Sequence, residues 1–200
     1  VNRALDVLLA ALALAVASPV LAICALAIKL DSRGPVLYRQ RRVGLEGVSF
    51  DLWKLRTMVV GAEHSGAGLY IEDRDSRITR VGRLLRRFSL DELPNLVNVL
   101  RGELAVVGPR PTVQVQVDRY TPHQRRRLEV RPGITGWAQV NGRTSLSWPE
   151  RIELDVWYVD HRSLALDLRI LARTAKLLVS GHGLYSSDVT QGWDEEPPRG

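Results

Sequence analysis

The chain has 200 residues and a mass of 22.4 kDa, with 45% hydrophobic and 25% charged residues, a globular profile that excludes wholesale disorder and leaves room for one ordinary domain. Lysine and arginine number 28 against 22 acidic residues, giving a net charge of +6 and an isoelectric point near 10.0, which favours anionic partners such as nucleic acid, acidic lipid or phosphorylated small molecules. The lone cysteine, Cys24, excludes an internal disulfide and a multi-thiolate metal site.

The first element is apolar. Val7 to Ile28 carries no charged residue, and a helix of that length at about 1.5 Å per residue covers a bilayer core of about 30 Å. A membrane segment is expected, and three courses compete. A cleaved signal peptide has a small-x-small site at Ala25-Leu26-Ala27, but Asp6 stands where the leader should be basic and the apolar run is long. A lipoprotein signal fails because Ile23, not a small residue, precedes Cys24. A plain spanning helix satisfies length alone. A re-entrant helix is predicted by Ser18-Pro19 at the midpoint: proline removes a backbone hydrogen bond and kinks or breaks the helix, and serine can satisfy a freed carbonyl. Arg3 lies before the segment and Lys29, Arg33, Arg39, Arg41 and Arg42 lie after it. Positive residues stay on the cytoplasmic side, so basic flanks at both ends suit a helix that enters and returns. The organisation read from this pattern is a membrane anchor over 1–30, a cytoplasmic membrane-associated domain over 31–185, and a polar, Pro-rich tail over 186–200 expected to be disordered.

Pro35–Arg42 and Val48–Arg56 read as two extended runs joined by Gly44-Leu45-Glu46-Gly47, a β-hairpin, and Gly61–Gly68 reads as a small-residue loop. Ile78, Val81, Leu85 and Phe88 recur at helical spacing, predicting a helix over Arg77–Phe88 with Arg77, Arg80, Arg83 and Arg87 on a neighbouring face. Such a helix lies in the headgroup plane of an anionic membrane, or presents an ordinary solvated face. A short helix carries Leu93, Leu96, Val97 and Leu100 and stops at Gly102. Val113–Val117 alternates like a strand in a helical neighbourhood. Thr121-Pro122-His123-Gln124 has the form of a helix start, and that helix must end before Pro132. Gly133–Gly142 reads as loop or short strand around Trp137. Ser163–Ser180 is amphipathic, with Leu164, Leu168, Leu171, Ala175 and Leu178 aligned and Gly181 as its stop. The fold class expected is α+β, mainly helical, with interfacial amphipathic helices and a small β-hairpin.

The adjacent carboxylates Asp91 and Glu92 are the most chemical feature. Ser89-x-x-Glu92 also has the form of a capping box, which would give both acids a purely structural use in a first helical turn. Their surroundings point elsewhere. Gly108-Pro109-Arg110-Pro111 holds an arginine on stiff backbone, Arg131-Pro132-Gly133 does something similar, Lys54 and Arg56 emerge from the second extended run, and Arg86 lies just before the pair. Fixed cations around two carboxylates suit an anionic substrate and a metal. A carboxylate near cations stays ionised and can attack phosphorus, while its neighbour can hold Mg²⁺ bridged to substrate phosphates.

Taken together, Ser89–Gly102, Gly108–Pro111 and Arg131–Gly136 resemble the bacterial sugar transferase family, the monotopic polyprenyl-phosphate phosphoglycosyl transferases. The likeness extends to Gly34–Gly44, Lys54–Met58, Asp155–Asp160 and the helix-breaking pair Ser18-Pro19, and covers roughly residues 1 to 185. It implies ping-pong transfer of a phosphosugar from a nucleotide-diphosphate sugar, usually a UDP-sugar, to undecaprenyl phosphate at the cytoplasmic face of the bacterial inner membrane, initiating surface glycan synthesis. On this resemblance Asp91 is the nucleophile, Glu92 the Mg²⁺ ligand and Arg110 a phosphate-binding residue. Lys54, Arg56, Arg86 and Arg131 complete the expected phosphate-binding set. Inner-membrane lipids, a second copy of the chain or other glycosyltransferases of the pathway are the candidate partners. A non-catalytic scaffold of a glycan assembly complex is the alternative. A membrane-tethered nucleic-acid binder is disfavoured, because the arginines are spread through turns and form one run only, Arg125-Arg126-Arg127.

Overall fold

The computed structural model describes residues 3–62, 75–142 and 146–180. Much of the expected 61–68 loop, the Gly181 stop and the 186–200 tail lie outside them. Within them the chain is mainly helical with two small two-stranded sheets. The first helix, α1 (Arg3–Asp31), is unbroken through Ser18 and Pro19, where Ser18 Oγ donates to the Ala15 carbonyl at 2.8 Å. Among the described residues it is the one helix long and apolar enough to cross a membrane.

One face of α1 is part of the protein core. Ala10 packs with Phe50, Leu52, Leu96, Val99 and Leu104, while Cys24 and Ile28 pack with Leu55 and Leu85. Both ends are also tied down by polar contacts. Near the N-terminus Arg3 donates to the Leu100 carbonyl at 3.0 Å, and the buried Asp6 accepts from the Val106 amide at 3.1 Å. At the other end Asp31 accepts from the Val81 amide at 3.0 Å. The outward face is an apolar stripe: Leu8, Leu12, Val16, Ile23, Leu26 and Leu30 are each 55 to 79% exposed. Burying side chains of this size stabilises by roughly 1.5–3 kcal/mol apiece, so the stripe is a strong driving force for an apolar environment.

The expected hairpin forms, with β1 (Leu37–Val43) antiparallel to β2 (Ser49–Leu55) and Tyr38 opposite Lys54. The basic helix is shorter than the periodicity predicts. It is α2 (Arg80–Arg87), which starts at the cap Thr79, whose side chain accepts from the Gly82 amide at 2.9 Å. Arg77 lies outside it and leaves the basic face, because its guanidinium is buried against Asp75 at 2.6 Å and the Ala62 carbonyl at 2.7 Å. The face that α2 exposes carries Arg80, Arg83 and Arg87 beside the half-exposed Leu84 and Phe88.

After α2 comes a single 3₁₀ turn, Leu90–Glu92, then α3 (Asn95–Arg101), closed at Gly102 as the sequence predicts. β3 (Ala105–Val107) pairs in parallel with β4 (Gly133–Thr135), two strands too short for an alternation pattern to reveal. Their backbones nearly touch beyond β3. A Cβ on Gly133 would stand 2.1 Å from the Gly108 nitrogen, and one on Gly108 would stand 2.4 Å from the Arg131 carbonyl oxygen. Only glycine at both positions lets the two loops meet. Val113–Val117 resolves as one turn of helix, α4 (Gln114–Val117). The capping box at Thr121 and Gln124 is formed and opens α5 (Pro122–Arg125). Gly133–Gly142 is β4 followed by α6 (Trp137–Val140).

Two long helices close the domain, α7 (Trp148–His161) and α8 (Leu164–Ser180). Helix α8 begins one residue after its expected start, Ser163, and runs to Ser180 as expected. Helix α7 was not foreseen, although Ser147 and Glu150 form a full capping box with Pro149 in the first turn, a start signal legible in the residues. Its inner side, with Ile152 and Val156, packs on Val43, Val117 and Tyr120.

Gly82 is where α2 lies against the chain leaving β2: a Cβ there would be 2.0 Å from the Thr57 carbonyl oxygen, which is backbone and cannot rotate away. Gly82→Ala is therefore expected to cost at least about 1–3 kcal/mol of stability. Thermal unfolding of purified protein checks this, and an unchanged midpoint would mean that α2 moves off Thr57 freely.

Candidate active site

Asp91 and Glu92 sit in the 3₁₀ turn between α2 and α3, not inside a helix. Ser89 enters that turn with φ 52° and ψ 25°, left-handed backbone that a non-glycine residue seldom adopts, and its side chain caps nothing. The capping box that would have made both acids structural is therefore not formed. Glu92 turns to cations instead. Its Oε1 accepts from Lys54 Nζ at 3.2 Å and from Arg110 Nη2 at 2.7 Å, in a half-buried setting where such pairs are less screened than at the surface.

Asp91 has no side-chain hydrogen bond to another residue among the described residues. Burial pushes its carboxyl above the ordinary range and the neighbouring Glu92 charge adds to this, while Lys54 and Arg86 pull it back. The cations expected to keep this carboxylate ionised thus work against the upward push of burial. Arg86 is placed at the site by a 2.9 Å bond from its Nε to Thr57 Oγ1.

Of the five cations singled out from sequence, the structure brings Lys54, Arg86 and Arg110 to the carboxylates and places two elsewhere. Arg56 is buried under the C-terminal end of α1, donating to the Arg33 carbonyl and, at 2.8 Å, to the Ser32 carbonyl. Its two terminal nitrogens are used to close that helix end. Arg131 is exposed and donates from Nε to the Gly102 carbonyl at 3.1 Å, at the far end of α3.

Sequence reasoning did not single out two contributors. Arg42 lines the same open cleft as Glu92 and Arg110, its guanidinium fixed by Gln40 Oε1 at 2.7 Å and by the Pro111 carbonyl at 3.3 Å. Arg127, the last residue of the only arginine run, is buried and donates to the Arg110 carbonyl at 3.0 Å, to Asp155 at 2.5 Å and to the Tyr120 hydroxyl at 2.5 Å. Burial pushes the Asp155 carboxyl up to about 6, against the pull of Arg127. Arg127 thus holds the backbone of the Pro-Arg-Pro turn while Arg110's own side chain reaches Glu92. No signal in the arginine run distinguishes this buried member from its neighbour Arg126, which pairs with Asp160 at the surface.

Among the described residues there is no group of three or more histidine, cysteine, aspartate or glutamate side chains able to hold a metal ion by themselves. The chemistry this site supports is attack by one carboxylate on an electrophile whose negative charge Lys54, Arg86 and Arg110 would balance.

A family model described as bacterial sugar transferase matches residues 1–181. The chain is 47% identical over 161 residues to an uncharacterized sugar transferase of Bacillus subtilis, covering 80% of this chain and 78% of that protein. It is 45% identical over 193 residues to the UDP-glucose:undecaprenyl-phosphate glucose-1-phosphate transferase of Caulobacter vibrioides, covering 92% and 72%. It is 40% identical over 189 residues to the UDP-N-acetylgalactosamine-undecaprenyl-phosphate N-acetylgalactosaminephosphotransferase of Aeromonas hydrophila, covering 92% of this chain and 44% of that protein.

Two outcomes are expected from the site geometry. Asp91 should titrate above the ordinary carboxylate range, so its ionised form grows as pH rises through that point; Lys54→Met should move the titration further up and Glu92→Gln should bring it down. Carbon-13 NMR of labelled aspartate carboxyls reads all three, and a value at or below the ordinary range would reverse the assignment. Asp155→Asn should destabilise by about 3–5 kcal/mol, because it leaves the Arg127 charge buried without its partner; chemical denaturation checks the figure.

Proposed function

The chain belongs to the bacterial sugar transferase family, and on that premise we propose that it transfers a phosphosugar from a UDP-sugar to undecaprenyl phosphate through a covalent intermediate on Asp91. The observation that carries this reading is the contrast between the two acids. Glu92 is held by Lys54 and Arg110, whereas Asp91 has its cations nearby and its oxygens uncommitted to any side chain. A carboxylate oxygen of Asp91 attacks the sugar-linked phosphorus, and the bond to the nucleotide phosphate breaks with its electron pair leaving on UMP. A phosphate oxygen of the lipid then attacks the same phosphorus, the acyl phosphate bond breaks, and the carboxylate is restored. Lys54, Arg86 and Arg110 neutralise the diphosphate and the phosphorane-like charge that develops, and the Arg127–Asp155 pair keeps Arg110 in place.

Mg²⁺ fits this donor set. Asp91 and Glu92 are close enough for each charge to oppose the other, and Mg²⁺ is bound by one or two carboxylates together with substrate phosphates. Glu92 would hold the ion, which when bound draws charge from the diphosphate and eases departure of the nucleotide.

The same domain bears on the membrane course of α1. A helix crossing the bilayer would put Arg3 and Asp31 on opposite sides, yet both bond to one compact unit, Arg3 to α3 and Asp31 to α2. This supports an anchor that enters and leaves on the cytoplasmic side with its apolar stripe in lipid. Helix α2 would lie at headgroup level, its arginines beside Leu84 and Phe88. That depth brings the phosphate of a polyprenyl acceptor, which cannot leave the bilayer cheaply, to the level of Asp91.

With undecaprenyl phosphate and Mg²⁺, the wild type is expected to release UMP from at least one UDP-sugar and Asp91→Asn to lose more than roughly 1000-fold of that rate. Mass spectrometry should find a phosphosugar adduct on Asp91, and unchanged turnover in Asp91→Asn would remove this residue from the mechanism. Single cysteines at Ala4 and Arg33, on a Cys24→Ser background, should both react with an impermeant maleimide in inside-out vesicles and neither in right-side-out ones. Labelling from opposite faces would establish a spanning helix.

A further inference from the structure

Two asparagines one turn apart on α3 are treated differently. Asn98 is fully buried and fully used: its Oδ1 accepts from the Trp53 amide at 3.1 Å, and its Nδ2 donates to the Asp51 carbonyl at 2.7 Å and to Glu103 at 2.6 Å. That residue ties α3 to β2. Asn95 is 4% exposed, yet its Oδ1 is buried without a hydrogen-bond partner among the described residues. Buried polar groups in folded proteins are almost always paired, and an exception asks for an explanation.

Its position supplies one. Asn95 lines the cleft that also holds Glu92, Arg110 and Arg42, over apolar walls from Leu52 and Leu104. An amide oxygen only accepts, so whatever completes it is a hydroxyl or N–H donor. The two guanidiniums beside it are suited to phosphate. The ligand the cleft describes therefore carries a hydrogen-bond donor a few bonds from a phosphate group.

We propose that Asn95 is a donor-substrate recognition residue, its Oδ1 accepting a hydrogen bond from a hydroxyl or N–H of the nucleotide-diphosphate sugar next to the phosphate bound by Arg110 and Arg42. This rests on the transferase reading above. Two parts of that substrate have such donors, the sugar attached to the reacting phosphate and the nucleoside on the other side. A site built to accept a hydrogen bond rejects an analogue lacking the donor strongly, since the buried oxygen is then left unpaired. The residue thereby selects among substrates without taking part in bond making.

Asn95→Leu removes the acceptor with a side chain of similar size. A purely structural asparagine would lower the melting temperature on this change, whereas the substitution is expected to leave it at or above the wild-type value, because an unpaired oxygen is lost. Binding of UMP, glucose 1-phosphate, N-acetylgalactosamine 1-phosphate and UDP-glucose is measured by calorimetry on the full chain in detergent, alongside UMP release. Weakening of about 10-fold or more for the sugar phosphates and not UMP assigns Asn95 to the sugar; the reverse assigns it to the nucleoside. The Asn95→Gln variant, which keeps the amide, should recover part of the loss. Equal affinities of wild type and Asn95→Leu for all four probes, binding of none, or a lowered melting temperature with unchanged affinities would overturn the proposal. Failure of the wild type to release UMP from any UDP-sugar would instead count against the transferase reading, whatever the binding data say.

Discussion

One carboxylate oxygen joins three separately built segments. Glu92 Oε1 accepts from Lys54 on β2 and from Arg110 in the turn after β3, and Glu92 itself belongs to the turn between α2 and α3. Each of these cations would repel the other without the shared acceptor, and the acceptor would be costly to half-bury without them. The arrangement fixes the width of the cleft and sets the field in which Asp91 titrates. It also explains a division between neighbours: the residue that is bonded organises the site, and the residue that is not keeps its oxygens available.

Support for this junction comes from further out. Arg110 has its backbone held by Arg127, which in turn is neutralised by Asp155 from the middle of α7. The glycine pair at 108 and 133 lets the loops after β3 and before β4 lie in contact, so the Pro-Arg-Pro turn is pinned from the other side as well, with the Gly133 amide donating to the Pro109 carbonyl at 2.9 Å. A long helix that contributes no residue to the cleft lining thus determines where a guanidinium stands.

Local signals in the sequence were the ones that could be read. The hairpin, the Gly102 stop, the Thr121 capping box and the α8 periodicity each depend on residues a few positions apart, and each appears in the structure. The Asp91-Glu92 pair was legible because charge of both signs concentrates around it. What could not be read depends on distant partners. The pairing of β3 with β4 joins positions 105 and 133. The fates of Arg56 and Arg127 were decided by carbonyls and a carboxylate that no spacing rule connects to them, and that of Arg77 by the Ala62 carbonyl as much as by the nearby Asp75. The Ser89–Glu92 motif shows the opposite failure: a recognisable local pattern was overridden because Ser89 adopts left-handed backbone and Glu92 found stronger partners.

The buried Asp6 has a practical meaning for anyone handling this protein. Its carboxylate receives the Val106 amide of β3, and a few residues on Ala10 packs with Leu96 and Leu104. The apolar helix is therefore not a tether that can be clipped off to obtain a soluble enzyme. Truncating the gene before residue 32 would strip the floor from β2 and α3 and lay bare the apolar residues that pack on Ala10, Cys24 and Ile28, so purification schemes have to keep the greasy segment and supply it with detergent or nanodisc lipid.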